Sequence, residues 1–382
     1  MRQKLLPPFL EKRIKEHYQD RFVNEWGGES LFKSPSPSSD DVPLNNNDYL
    51  CICKNELLPY SRRENTSAEV LMSSFFLDES SFQSEVEKEF SKFFNVESSI
   101  LCQSGWAANT GLIQSLADNN TPVYVDVLAH MSFHDGVLLA KARSYIFAHN
   151  NVNSARKKIL LYGPGIIVVD SVYSTNGSLC PLIDFATLAQ ELDCVLVVDE
   201  SHSAGTHGPE GRGLVNHLKI NEQVDFITVS LAKAFAGRAG LITCPNNFKD
   251  YFLLESHPSI FSSALMSHDL KWFMDVIPLI ISSNVKRERL HSNSKQVRAS
   301  LAQLGYNVSS GTEQIIAVEI GNEKKVQVLQ KKLQKKGVYG SVFGYPATTK
   351  NKSLIRLTIN SDLTDSDISR IVDAFKTSIA DV

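Results

Sequence analysis

Residues 195–205, VLVVDESHSAG, decide how the chain is read. A continuous apolar run, mostly β-branched, stops at Asp199 and gives way to Glu200, Ser201 and His202. A run without alternation predicts a strand covered on both faces, as in a parallel sheet flanked by helices. The pattern repeats outward from there. IIVVD (166–170) ends in Asp170, with Ser171 next, and DFITVS (225–230) ends at Ser230 and leads to Lys233. TPVYVDV (121–127) leads to His130, and SSILCQS (98–104) breaks at Gly105. HDGVLLAKA (134–142) and DFATLAQEL (184–192) read as helices between strands, and Phe82, Val86, Phe90 and Phe93 recur at helical spacing. Alternating strands and helices predict an α/β fold.

The ends of the chain differ from this middle. Residues 9–26 read as an amphipathic helix, SPSPSSDD (34–41) as a loop, and NNNDYL (45–50) as the entry to the ordered body. Beyond a long helix near 268–300, IIAVEI, VYGSVF and LIRLTIN read as short strands before a last helix from Asp365. The division expected is an N-terminal helix and arm (1–44), a large α/β domain (45–267) and a smaller C-terminal α+β domain (268–382). The basic run KKLQKK (331–336) reads as the solvated face of a helix rather than a contact for a CoA phosphate.

Composition excludes several classes. Apolar residues make up 42% and charged residues 21%, with a formal net charge of −3, an ordinary globular balance that favours neither nucleic acid nor an anionic membrane as partner. The six cysteines form no CxxC pair and no Cys/His set at zinc spacing, so no metal is expected, and their pattern fits a reducing cytosol. The N-terminus, broken by Pro7 and Pro8 and then highly charged, does not read as a signal peptide. No run reaches the roughly 18–20 apolar residues of a membrane span. A cytoplasmic enzyme is the expectation.

In an open α/β sheet, ligands gather outside the carboxyl ends of the strands. Asp199 ends an apolar run, where an unpaired carboxylate would cost several kcal/mol (order of magnitude) and calls for a cationic partner. A protonated pyridine nitrogen, as in pyridoxal 5′-phosphate, is such a partner; a helix N-cap or metal-ligand role stays open on Asp199 alone. Lys233, in SLAKAFAGRAG, sits among small and apolar residues. An amine that forms an imine must lose its proton, and desolvation helps. Ser104, Gly105 and Trp106 open a helix whose free N–H groups suit a phosphate or only need an ordinary N-cap. Ser230 could add a hydroxyl to that phosphate, His130 could stack on a flat ring, and His202 and Ser171 could reach a ring oxygen.

Together these residues resemble the α-oxoamine synthases, a group of pyridoxal-phosphate enzymes of fold type I. The matching stretches are NDYL (47–50), SGWAANTGL (104–112), HMSFHDG (130–136), HNN (149–151), VVDSVYSTNGSLCPL (168–182), VVDESHSAGTHGPEGRG (197–213), SLAKAF (230–235), FSSAL (261–265) and IRLTINSD (355–362). The resemblance implies a large domain with a mostly parallel seven-stranded sheet and a smaller C-terminal domain. It implies Lys233 as the Schiff-base lysine, Asp199 as partner of the ring nitrogen and His130 as the stacking residue. It places His202 and Ser171 near the ring oxygen, and Gly105, Trp106 and Ser230 at the phosphate. Ser262 or Ser263 would reach the phosphate of a neighbouring subunit, implying a homodimer with active sites at the interface. Arg356 matches the arginine that pairs with the substrate carboxylate, the alternative being a strand-edge salt bridge.

The implied reaction joins an acyl-CoA to an amino acid with loss of CO₂. HNN, the Lys233 stretch and the GSVFGYPATTKNK segment resemble one subgroup, the vibrio-type quorum-sensing autoinducer synthases, which make long-chain α-aminoketones. For that subgroup the implied substrates are a medium-chain acyl-CoA with 2-aminobutyrate or S-adenosylmethionine. SSFFLDESSFQSEVEKEF (73–90) stands where the family has a glycine-rich Gly-His-Leu-Glu stretch, a departure that bears on glycine as the amino substrate. The alternatives are another α-oxoamine synthase (8-amino-7-oxononanoate synthase or glycine C-acetyltransferase), an aminotransferase, and an inactive scaffold of the same fold.

Overall fold

The two apolar runs that end in aspartates are neighbouring strands, with Asp170 opposite Asp199 in parallel register. In the computed structural model the described residues are 6–28, 30, 32, 34–55, 73–345 and 347–378. Residues 1–5 of the stretch read against a signal peptide, and Pro346 of GSVFGYPATTKNK, lie outside them.

The strands are β1 (Val42–Leu44), β2 (Ser98–Cys102), β3 (Pro122–Asp126), β4 (Arg143–Phe147), β5 (Ile166–Asp170), β6 (Val195–Asp199), β7 (Phe226–Ser230), β8 (Gly240–Cys244), β9 (Ile315–Gly321), β10 (Val338–Phe343) and β11 (Ser353–Thr358). The seven-stranded sheet has the order β2-β8-β7-β6-β5-β3-β4. It is parallel except at β8, which runs antiparallel to both β7 and β2. Successive residues of a strand point to opposite faces. Accordingly Leu196 and Val198 enter one apolar core while Val197 enters a second, and Ile167 and Val169 part from Ile166 and Val168 in the same way. That two-sided burial is why these runs lack polar alternation.

The helix Phe82–Phe94 buries Val86, Phe90, Phe93 and Phe94. Phe90 is fully buried and meets the rings of Phe235 and Phe273 edge-on. Truncating such a phenylalanine to alanine costs about 3–5 kcal/mol. Phe235 lies two residues past Lys233, so this core also supports the lysine's loop.

The smaller sheet has the order β1-β10-β11-β9. Its edge strand β1 comes from the N-terminal arm and pairs parallel with β10, so the arm supplies a strand to the C-terminal half. In place of one long helix near 268–300 there are two, Ser267–Ser282 and Asn284–Gln303. Ser283 breaks them with a non-helical ψ of 32°. Arg287 then donates from Nη1 to the carbonyl of Ile280 and from Nη2 to that of Ile281, satisfying carbonyls freed at the break. Among the described residues no helix is long and apolar enough to cross a membrane.

Candidate active site

Strand ends and two flanking segments converge on a cavity of about 220 Å³. Gly105, Trp106 and Asn109 line it from the helix after β2, His130 from the end of β3, and Asp170 and Ser174 from the end of β5. Asp199, Ser201 and His202 follow β6, Ser230 and Lys233 follow β7, and Asn47, Phe343 and Arg356 close it from the smaller sheet's side. The volume lies below the roughly 300–1,000 Å³ of drug-sized sites. A larger groove of about 830 Å³ runs between the helices Phe82–Phe94 and Asn246–Glu255. It holds none of the strand-end residues, and its buried Glu87 is already paired with Lys249.

The floor carries charge without a counter-ion. Asp199 is buried, accepting from Asn109 Nδ2 at 2.9 Å and from the Ser201 backbone N–H at 2.8 Å. Neither donor is a cation. Asp170, beside it, is driven well above the usual carboxylate range by burial and then by the Asp199 charge. His130 Nδ1 lies 2.7 Å from Ser132 Oγ, and the Trp106 ring meets its ring edge-on. Burial pulls the His130 imidazole below its ordinary pKa, and Lys233 adds to this while Asp199 opposes it.

The Lys233 amine makes no hydrogen bond or ion pair with any described residue. Burial lowers its pKa, the Arg356 charge lowers it further, and Asp199 pulls the other way. This is a lysine biased toward the free amine. Arg356 is 8% exposed, donates from Nη1 to the Ser174 carbonyl at 2.7 Å and from Nη2 to Asn47 Oδ1 at 3.3 Å, and lies over the Phe343 ring. No carboxylate among the described residues pairs with it, so the strand-edge salt bridge is not made. His202, also buried, has Nδ1 2.7 Å from the Tyr49 hydroxyl, and burial followed by the charges of Lys233 and Arg356 pulls its pKa well below the ordinary imidazole range.

At the other end of the cavity the helix Gly105–Leu116 begins. A Cβ added at Gly105 would lie 2.6 Å from Ser230 Cβ, so only glycine allows the helix start to close on Ser230. Ser104 Oγ caps the helix by accepting from the Ala107 N–H at 3.1 Å. That leaves Gly105 and Trp106, the first two residues of the helix, lining the cavity, and N–H groups at a helix start suit an anion.

Four expected residues sit apart from the lining. Ser104 serves as the N-cap. Ser171 is fully buried, donating to the Asp199 carbonyl at 3.0 Å and meeting Ser203 Oγ at 2.7 Å, with Ser174 lining the cavity in its stead. Ser262 and Ser263 are exposed, the first bonded to the Pro258 carbonyl and the second accepting from Gln103 Nε2 through its own carbonyl. Asn109, Asn47, Tyr49, Ser174 and Phe343 were not singled out from sequence. Asn109 had a signal, standing one helical turn after Gly105.

The residues fit pyridoxal phosphate. A buried carboxylate without a cation, an unpartnered amine and a helix N-terminus closed by a glycine match its ring nitrogen, aldehyde and phosphate in kind. The "Aminotransferase class I and II" family model matches residues 39–375. The chain is 41% identical over 374 residues to the CAI-1 autoinducer synthase of Vibrio campbellii, covering 97% of this chain and 95% of that protein. It is 29% identical over 297 residues to the 8-amino-7-oxononanoate synthase of Petrotoga mobilis, covering 76% of each. Among solved structures, a serine palmitoyltransferase from S. paucimobilis with a bound PLP–myriocin aldimine matches with a TM-score of 0.87 and 22% identity, covering 98% of both chains. That last likeness shows a shared fold.

Proposed function

The chain belongs to the aminotransferase class I and II family, in its α-oxoamine synthase branch, and from that membership we propose that it condenses a medium-chain acyl-CoA with 2-aminobutyrate or S-adenosylmethionine to give a long-chain α-aminoketone. It is a pyridoxal-phosphate enzyme of fold type I and an acyltransferase. The CAI-1 synthase relative, similar over nearly its whole length, supports the autoinducer-precursor product over that of 8-amino-7-oxononanoate synthase.

The observation that carries the reading is Arg356, a buried guanidinium held by neutral acceptors in the same cavity as Lys233 and Asp199. When bound, pyridoxal phosphate supplies an electron sink for negative charge at the amino acid's α-carbon. Asp199 Oδ2 and Oδ1 would hold the proton on the ring nitrogen, with Asn109 and the Ser201 N–H fixing the carboxylate's position. Gly105, Trp106 and Ser230 would hold the phosphate, and His130 would cover the ring face.

Arg356 would take the substrate carboxylate on its planar fork. Lys233 Nζ would hold the cofactor covalently at rest and take the α-proton when freed, a task its lowered pKa suits. The α-carbon then attacks the acyl-CoA thioester carbon, the C–S bond breaks and CoA leaves as a thiolate that takes a proton from solvent. CO₂ departs from the carboxylate that Arg356 released, and a proton returned to the α-carbon completes the α-aminoketone. The exposed Ser262 and Ser263 suit a contact with a second copy's site, and the assembly proposed is a homodimer in the cytoplasm.

Mass analysis of products from decanoyl-CoA and 2-aminobutyrate tests the function. The α-aminoketone, one CO₂ lighter than the simple condensation product, is expected. A 2-oxo acid formed without acyl-CoA would make the protein an aminotransferase instead.

A further inference from the structure

We propose that His207, His291 and Glu313 form a site for a divalent transition-metal ion of the zinc and cobalt class, separate from the cavity around Lys233. The three come from different segments: the polar turn after β6, the helix Asn284–Gln303, and the lead-in to β9. One ligand atom from each lies within 4.8 Å of the others. His207 Nε2 is 2.8 Å from Glu313 Oε2, and His291 Nδ1 is 3.9 Å from the same oxygen. Sequence reading expected no metal because no local spacing joins these residues; the fold assembles them.

Thr206 orients both imidazoles. Its carbonyl lies 2.9 Å from His291 Nε2 and can only accept, so that nitrogen carries the proton and Nδ1 offers its lone pair inward. Its hydroxyl lies 2.9 Å from His207 Nδ1 and donates its one proton to the carbonyl of His202 or Ser203. The hydroxyl therefore accepts from His207 Nδ1–H. A neutral His207 would then aim an Nε2 lone pair at the Glu313 carboxylate, which is repulsive. Only a cation between or upon them resolves this, either an added proton or a metal ion. Outer N–H groups fixed on backbone and hydroxyl oxygens are the support that metal-ligating histidines use.

A tetrahedral ion would draw together donors that now lie within 4.8 Å of one another. Bonds of about 2.0–2.1 Å to nitrogen and oxygen set neighbouring donors roughly 3.3 Å apart. The 2.8 Å contact would open and the 3.9 Å contact close, each by about half an ångström (order of magnitude). The side chains of His207 and Glu313 are 9% and 12% exposed, whereas that of His291 is 32% exposed, so the ion and a fourth ligand from solvent enter on the His291 side. Gln314, next to Glu313, donates to the His202 carbonyl at 2.6 Å. A bound ion would thus staple the C-terminal half to the turn that carries Asp199 and His202, as a structural tie rather than part of the reaction.

The test uses the full-length, cofactor-loaded protein, freed of metal by a chelator, then titrated with Co²⁺ and dialysed against Zn²⁺. The proposal expects about one ion per chain and the visible bands of four-coordinate cobalt. His291→Ala and the near-isosteric Glu313→Gln should each lose at least tenfold in affinity, whereas Lys233→Ala should bind cobalt as the parent does. The parent's metal binding is itself decisive should a variant misfold. If the parent holds no more metal than His291→Ala, or if binding vanishes with Lys233→Ala, the proposal fails and the cluster is a protonated His207–Glu313 pair only.

Discussion

The guanidinium of Arg356 is tethered to the carbonyl oxygen of Ser174 by a 2.7 Å hydrogen bond, a neutral anchor for a buried cation. A guanidinium spent on an internal carboxylate could not also bind a substrate. Held by Ser174 and Asn47, with the Phe343 ring beneath it, Arg356 keeps its charge and position for an incoming carboxylate.

Arg356→Lys should therefore raise KM for the amino substrate. A lost charge-assisted bond of about 1.5–3 kcal/mol corresponds to roughly 10–100-fold. KM for acyl-CoA should change little. Steady-state kinetics with each substrate varied in turn separates the two, and equal rises in both would remove Arg356 from the carboxylate seat.

Gly105→Ala should weaken cofactor binding without unfolding the chain. The new Cβ would also lie 2.9 Å from Ser230 Cα, so the strain falls on backbone and cannot be relieved by a rotamer change. A loss of at least about tenfold in affinity, or ~1.4 kcal/mol, is expected in a cofactor titration with circular dichroism unchanged. Parent-like affinity would show that this closure does not shape the phosphate seat.

Tyr49→Phe removes the hydroxyl that lies 2.7 Å from His202 Nδ1. Both groups are buried, and the imidazole left unpaired should cost about 1–3 kcal/mol. Chemical denaturation of parent and variant gives the difference directly. An unchanged midpoint would mean that another group satisfies His202.

Glu200 predicts a pH effect on stability. Burial pushes its carboxyl up to about 7, against the N–H groups of Val215 and Leu214 and the Ser203 hydroxyl. An unfolded glutamate titrates near 4.3. Between these values the folded chain holds a proton that the unfolded chain has lost, so stability falls as pH rises through that window. Glu200→Gln does not titrate. Its stability relative to the parent should rise from pH 5 to pH 8, and a difference independent of pH would show that Glu200 is ionised throughout.

The parts of this site that were legible in the sequence are those set by local pattern. IIVVD and VLVVD carry their two-sided burial in composition, and the polar residues that follow must lie at strand ends. Strand β8, GLITC, was not read because five residues beginning with glycine carry little period, and its antiparallel course is set by pairing with β2 and β7. Tyr49 and Asn47 were quoted only as part of a motif, since their partners His202 and Arg356 are distant in the chain. Ser171 shows the opposite case: the right residue type at a strand end, turned inward because the Asp199 carbonyl and Ser203 take its hydroxyl.

The most direct test of the synthase reading is release of CoA thiol by the cofactor-loaded protein, from octanoyl- or decanoyl-CoA, with and without an amino substrate. The account predicts release only when 2-aminobutyrate or S-adenosylmethionine is also present, and its loss in Lys233→Ala. Protein that shows the cofactor's imine absorbance yet releases no thiol with either amino substrate would contradict it.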